Sequence, residues 1–214
     1  MLFRSEIIEM LGIDIEKYPD IHLSHEVAGE IGQSVSELTG LAKGTPVVYG
    51  GADQPMQAIG NGIVSKGKVS ATIGTGGQVF TLLEKPVFDK QLRTHTFCNA
   101  VPGTWYFLGA SLCAGLSLNW FANNILNSKD YHKLDEEAEV ISTGSEGVVF
   151  LPYLAGERTP HMDPFAKGMF FGLALKHTRA HMVRAVMEGV AYSLRDSLEI
   201  LKALEGQIDT EIGR

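Results

Sequence analysis

The stretch "HTRAHMVRAVMEGVAYSLRDSLEILKAL", residues 177–204, restricts the fold more than any other. Met182, Ala185, Val186, Gly189, Val190, Ser193, Leu194, Ser197, Leu198 and Leu201 draw one apolar stripe at helical spacing, with Arg184, Glu188, Arg195 and Glu199 mostly off it. A helix of that length needs a broad apolar surface to bury its stripe. The chain offers one. Residues 69–73 and 78–83 flank "GTGG" and read as a hairpin, and residues 94–99 and 104–109 flank the turn signal "VPG". Strand pairs followed by helices indicate an α/β or α+β fold with helices packed on a sheet. Helical spacing recurs over 112–126, and residues 47–49 and 147–151 read as strands. Residues 6–11 read as the tail of a helix. Residues 24–41 hold a turn or short strand and then a helix from about Ser34. A polar loop follows residue 151 and runs through Pro164, and "SKGK" (65–68) marks a candidate domain boundary.

A length of 214 residues suits one large domain or two small ones. The net charge of −7 gives no electrostatic support for binding nucleic acid, and no basic run offers itself to an anionic membrane. No apolar run is long enough to span a bilayer and no secretory signal is present, so a cytoplasmic location is the expectation. Cys98 and Cys113 read as small buried residues of a reducing compartment.

The 24 glycines gather at the ends of apolar runs, which suits tight turns and close approach of backbone to a ligand. The "GTGG" turn, residues 74–77, can expose backbone N–H groups with Thr75 as an added hydroxyl, although a plain hairpin turn is the simpler reading. It has neither the lysine and spacing of a P-loop nor a dinucleotide fingerprint. In "VVYGGADQPMQAIGNG", Asp53 stands alone after two glycines, and its simplest role is an N-cap for a helix over 55–59. The loop "LPYLAGERTPHMDPFAKGMFFGL" carries Glu157, Arg158, His161, Asp163 and Lys167. His161, His177 and His181 match no common zinc spacing, and no Gly-x-Ser-x-Gly elbow is present.

Together, "VVYGGADQPMQAIGNGIVSKGKVSATIGTGGQVF", "YLAGERTPHMDPFAKGMFFGL" and the long helix resemble the FGGY carbohydrate kinases. Gly168, Phe170, Gly172, Leu173, His181, Met182, Ala185 and Glu188 follow one family signature in order. The Gly-Glu-Arg-Thr-Pro-His run resembles the members that phosphorylate xylulose. "DQ" after the glycines and "GTG" are closer to those acting on glycerol, which leaves glycerol or another polyol or sugar as the alternative substrate.

The resemblance implies a ribonuclease-H-like α/β fold of the actin and hexokinase type, present in part. Residues 1–65 would be the tail of the first, sugar-binding domain, and residues 66–214 the first part of the second, nucleotide-binding domain. It implies an ATP-dependent kinase converting D-xylulose to D-xylulose 5-phosphate, with Mg²⁺ bound through the phosphates and no protein metal site. Asp53 would be the general base on the sugar hydroxyl and Gln54 a sugar ligand. Gly74, Thr75 and Gly76 would hold the nucleotide phosphates, and Gly115 and Asn119 would face the nucleotide. Asp53 and Thr75 argue against a non-catalytic actin-like module. The partners implied are the sugar and ATP, with neither nucleic acid nor membrane, and a homo-oligomer of the full-length parent stays open. Residues 2–5, "LFRS", and 212–214, "IGR", match what a sequencing adapter encodes, so native sequence is expected from about Glu6 to about Thr210. The chain alone is expected to be inactive as a kinase, and its first sixty or so residues to be less protected from hydrogen exchange.

Overall fold

The computed structural model describes residues 2–205 and 211–212; the native end expected near Thr210 lies outside the described residues. The chain divides into two units, Met1–Gly51 and Ala52–Arg214. In the first, α1 (Leu2–Met10) leads through a single 3₁₀ turn to β1 (Val27–Glu30), α2 (Gln33–Thr39) and β2 (Pro46–Val48). β1 and β2 pair antiparallel, with an irregularity between Val27 and Gly29. Ile8 is buried, whereas Val27, Leu38 and Val48 are exposed.

The second unit is built on a five-stranded sheet. Its strands are β3 (Lys68–Ile73), β4 (Gly77–Leu83), β5 (His95–Cys98), β6 (Trp105–Ser111) and β9 (Glu211–Ile212), in the spatial order β5-β6-β4-β3-β9. β9 runs parallel to β3 and the other pairs are antiparallel. Strand side chains alternate between faces, so β4 and β6 supply two apolar surfaces. On one, Phe80, Leu82, Tyr106 and Leu108 pack with Ala58 of α3 (Asp53–Gly60) and with Ile63. On the other, Val69, Val79, Leu83 and Phe107 pack with Leu194 and Leu201 of α6 (Arg179–Glu205). The helix read from its stripe is therefore there, and the carboxy-terminal part of that stripe lies on the sheet. A third cluster joins the amino-terminal half of α6 to α5 (Tyr131–Glu139) and to the hairpin of β7 (Val149–Leu151) and β8 (Met169–Phe171).

Four expectations need correction. Residues 112–126 do not form one regular helix: α4 (Gly115–Trp120) passes into a π-type segment, Phe121–Ile125. Asp53 is not the N-cap of α3; Ala52 is, and Asp53 opens the helix. Cys98 is exposed on the edge strand β5, while Cys113 is buried as expected. The loop after β7 is not solvated along its length, because Glu157 and Thr159 are almost fully buried in it.

Candidate functional site

The 74–77 turn links β3 to β4 where Ile73 faces Gly77. Its carbonyls point into the start of α4. The Gly115 N–H donates to the Gly74 carbonyl at 2.9 Å, and the Ala114 and Leu116 N–H groups donate to the Thr75 carbonyl at 2.9 and 3.2 Å. The amides that open α4 are thus spent on the turn, which they clamp. Glycine is required on both sides of the clamp. A Cβ on Gly115 would lie 2.6 Å from the Gly74 carbonyl oxygen, and one on Gly76 would lie 2.6 Å from the Ser111 carbonyl oxygen.

The turn's own donors are used less. The Gly74 N–H closes the turn onto the Gly76 carbonyl at 2.9 Å, but the Thr75 and Gly76 N–H groups meet no protein acceptor among the described residues. Thr75 is exposed. Two free amides beside a hydroxyl, on a backbone held from behind, form a cradle suited to phosphate oxygens. In that respect the residues present fit a nucleotide. Asn119, one turn beyond Gly115 on α4, is exposed and donates through Nδ2 to the Tyr131 hydroxyl at 3.1 Å.

Asp53 and Gln54 form a separate pair at the start of α3. The Gln54 N–H donates to Asp53 Oδ1 at 2.7 Å, and the carboxylate is exposed. Burial, and after it the Asp53 charge and Cys98, push the Tyr106 phenol up, which ties Asp53 to the β6 side of the sheet. Hydrogen bonds bring Gly74, Thr75 and Gly115 together, and none joins Asp53 or Gln54 to that turn among the described residues.

Reading the sequence missed the support behind the clamp. Residues 154–159 run along the link from β6 to α4. The Thr159 N–H donates to the Ala110 carbonyl at 2.9 Å, and the Ala110 N–H donates to Thr159 Oγ1 at 3.2 Å. Glu157 Oε1 accepts from the Leu112 N–H at 2.9 Å and from the Arg158 N–H at 2.7 Å. Its other oxygen, Oε2, is buried without a partner among the described residues. Burial pushes this carboxyl up, against the pull of the two amides. No periodicity signals such a group, because Leu112, the partner that ties it to the link, lies 45 residues away.

The signature glutamate, Glu188, serves another turn. It accepts from the Gly144 N–H at 3.0 and 3.1 Å, from Ser145 Oγ at 3.1 Å and from Arg184 Nε at 2.7 Å. Gly144, Ser145, Glu146 and Gly147 all have positive φ, so this carboxylate holds a left-handed turn. His177 and His181 have local structural work. Each accepts a backbone N–H through Nδ1, from Ala174 at 2.9 Å and Thr178 at 3.1 Å.

With this geometry in view, comparison with known proteins is specific. The model of the FGGY C-terminal domain matches residues 69–212, and that of the N-terminal domain matches residues 2–60. The xylulose kinase of Bacillus subtilis is 35% identical over 208 residues, covering 97% of this chain and 42% of that protein. The xylulose kinase of Staphylococcus epidermidis is 37% identical over 185 residues, covering 86% of this chain and 37% of that protein. The crystal structure of xylulose kinase from Rhodospirillum rubrum superposes with a TM-score of 0.81 at 32% identity, over 94% of this chain and 40% of that one. The chain therefore spans about two fifths of the length of these relatives, and its fold is of the actin and hexokinase type. The chain belongs to the FGGY family of carbohydrate kinases.

Proposed function

We propose that this chain carries part of the active site of an ATP-dependent kinase that phosphorylates a pentulose, converting D-xylulose to D-xylulose 5-phosphate. The observation that carries the reading is the 74–77 turn, with its carbonyls tied to α4 and its Thr75 and Gly76 amides left open. The xylulose kinases among its relatives support the choice of sugar. When bound, ATP with Mg²⁺ supplies the phosphoryl group and neutralises its charge, the metal being held through phosphate oxygens and water.

The chain's own residues position and deprotonate. Thr75 and Gly76 orient phosphate oxygens through N–H groups, and Gly74 keeps the turn tight. Gly115 lets the clamp close, and Asn119 lies along the same helix, on the nucleotide's side. Asp53, at the exposed start of α3, accepts the proton of the attacking sugar hydroxyl, and Gln54 holds a neighbouring hydroxyl. In this reading residues 1–65 belong to the sugar-binding domain and residues 66–214 to the nucleotide-binding domain. Free thiols at Cys98 and Cys113 suit the reducing cytoplasm.

The test is an assay of this sequence completed to its relatives' length, with ATP and a panel of xylulose, glycerol and gluconate. Xylulose is expected to give the highest kcat/KM. Asp53→Asn is expected to lower kcat by about two to four decades with little change in the KM for sugar. A preference for glycerol would move the substrate, and near-normal turnover of the Asp53 variant would remove Asp53 from the chemistry.

A further inference from the structure

We propose that Glu157 is a positioning residue for the nucleotide turn, holding through the β6–α4 link the clamp that sets the Thr75 and Gly76 amides. The inference rests on the assignment of the 74–77 turn to the nucleotide. Its physical chain has three steps.

First, Glu157 Oε1 fixes the Leu112 amide, in the link between the end of β6 and the start of α4. Second, the amides that follow, Ala114 at the end of the link and Gly115 and Leu116 at the start of α4, grip the Gly74 and Thr75 carbonyls. Third, Gly76 packs against the Ser111 end of the link closely enough that an added Cβ would meet the Ser111 carbonyl oxygen at 2.6 Å, so a displaced link disturbs the turn. The strap carrying Glu157 is itself fastened. Thr159 is bonded to Ala110 through both its backbone N–H and its hydroxyl oxygen, and its hydroxyl donates to the Arg93 carbonyl at 2.6 Å. The carboxylate therefore works from a fixed base.

The cost of Glu157 points the same way. A buried carboxylate with one oxygen unpartnered weakens a fold, and native structures keep few such groups. An apolar residue would satisfy packing more cheaply. What it would not supply is one oxygen that takes both the Leu112 and the Arg158 amides. Retaining the costly group at the one place that braces the proposed phosphate cradle is explained by precision of that cradle, since small misplacements of positioning groups cost large rate factors.

The experiment uses the full-length enzyme carrying this sequence, with steady-state kinetics in ATP and in sugar separately. Glu157→Leu removes the acceptor. It is expected to lower kcat/KM for ATP by about ten- to a hundredfold, with the KM for sugar within about twofold. Glu157→Gln keeps an acceptor oxygen and is expected to recover most of that loss. Should Glu157→Leu fail to fold, Glu157→Asp decides. It draws the oxygen back from Leu112 by one methylene and is expected to raise the KM for ATP several-fold, with faster exchange of the amides of residues 114–116. Equal losses in both substrates, no rescue by Gln, or an unchanged KM for ATP in a folded Asp variant would overturn the proposal. Gly76→Ala separates this from the underlying reading. If that variant leaves the KM for ATP unchanged, or the parent enzyme turns over no ATP, the nucleotide assignment falls and the inference with it. If Gly76→Ala raises the KM for ATP and Glu157→Leu does not, only the inference falls.

Discussion

Two glycine-bounded turns, 74–77 and 144–147, are each backed by a glutamate from a distant part of the sequence, and the two glutamates live in opposite surroundings. Glu188 enters the 144–147 turn itself. Arg184 faces it, and the Gly144 amide and Ser145 hydroxyl donate to it. Two further amides of the turn are used as well: Ser145 donates to the Ser142 carbonyl and Gly147 to the Gly144 carbonyl, which leaves only the Glu146 amide without an acceptor among the described residues. Such a turn is largely closed by its own chain. Glu157 stays outside its turn and accepts two backbone amides but no bonded cation, and the 74–77 turn keeps the Thr75 and Gly76 amides open, among the described residues. A glycine turn therefore cannot be judged from its glycines. The destination of its N–H groups separates a fold clamp from a ligand cradle.

The largest effect expected is on the open turn. Gly76→Ala puts a Cβ against the Ser111 carbonyl, and backbone must shift because nothing flexible is there to yield. In the full-length enzyme kcat/KM for ATP should fall by about a hundredfold. Thermal unfolding measured alongside should change less than the kinetics imply, and a stability loss that accounts for the whole effect would make this turn another fold clamp.

Glu188→Ala probes the closed turn. It strips one acceptor from Gly144, Ser145 and Arg184 at a left-handed stretch and should cost about 2 kcal/mol of unfolding free energy, measured by urea denaturation. Residual native enzyme should keep its KM for ATP. A raised KM would mean that the 144–147 turn also serves the nucleotide, and the contrast would collapse.

The pH dependence of stability has opposite signs for the two glutamates. Burial pushes Glu188 up, but Arg184, the Gly144 amide and Ser145 outweigh it and hold the group below the ordinary carboxylate range. Its contribution is present above the unfolded pKa of about 4.3 and is lost as the pH falls through the lower folded value. Asp89, held down to about 2 mainly by its hydrogen bonds with Arg93, acts in the same direction below about pH 4. Burial raises Glu157, so its contribution is present below about pH 4.3 and is lost as the pH rises through its folded value. Denaturation midpoints between pH 2.5 and 7 should thus show a shallower acid limb in Glu188→Ala. In Glu157→Gln the decline from Glu157 should vanish. Identical pH profiles in both variants would contradict the opposite surroundings.

Much of this contrast could not have been read in the sequence. The strands around "GTGG" and "VPG" were legible because turn residues bound apolar runs, and α6 because its stripe extends over six turns. α5 escaped because Leu134 and Ala138 are its only buried residues among charged neighbours, and β8 because three residues carry no period. The open turn was visible as glycines, and its resemblance to a family supplied a role, but the clamp from α4 depends on tertiary closure. Glu157 and Glu188 are harder still. Each has one near partner, Arg158 or Arg184, but the partners that give it a role, Leu112 for Glu157 and Gly144 with Ser145 for Glu188, lie more than 40 residues away.

The smallest expected effect tests whether the arginine beside Glu188 matters for burial or only for charge. Arg179 and Glu137 form a two-pronged pair between α6 and α5, whereas Arg184 gives Glu188 a single bond within α6, and Arg179 is the more exposed of the two arginines. Water screens the Arg179 pair, and exposed pairs contribute about 1 kcal/mol at most. Glu188 is only 12% exposed, so losing Arg184 leaves a nearly buried carboxylate with the Gly144 and Ser145 donors alone. Arg184→Ala should accordingly cost more than Arg179→Ala, which should shift the denaturation midpoint only slightly, and less again in 1 M salt. Equal costs for the two would show that Glu188 is bound well enough by the turn's own donors, and that the closed turn needs no cation to stay closed.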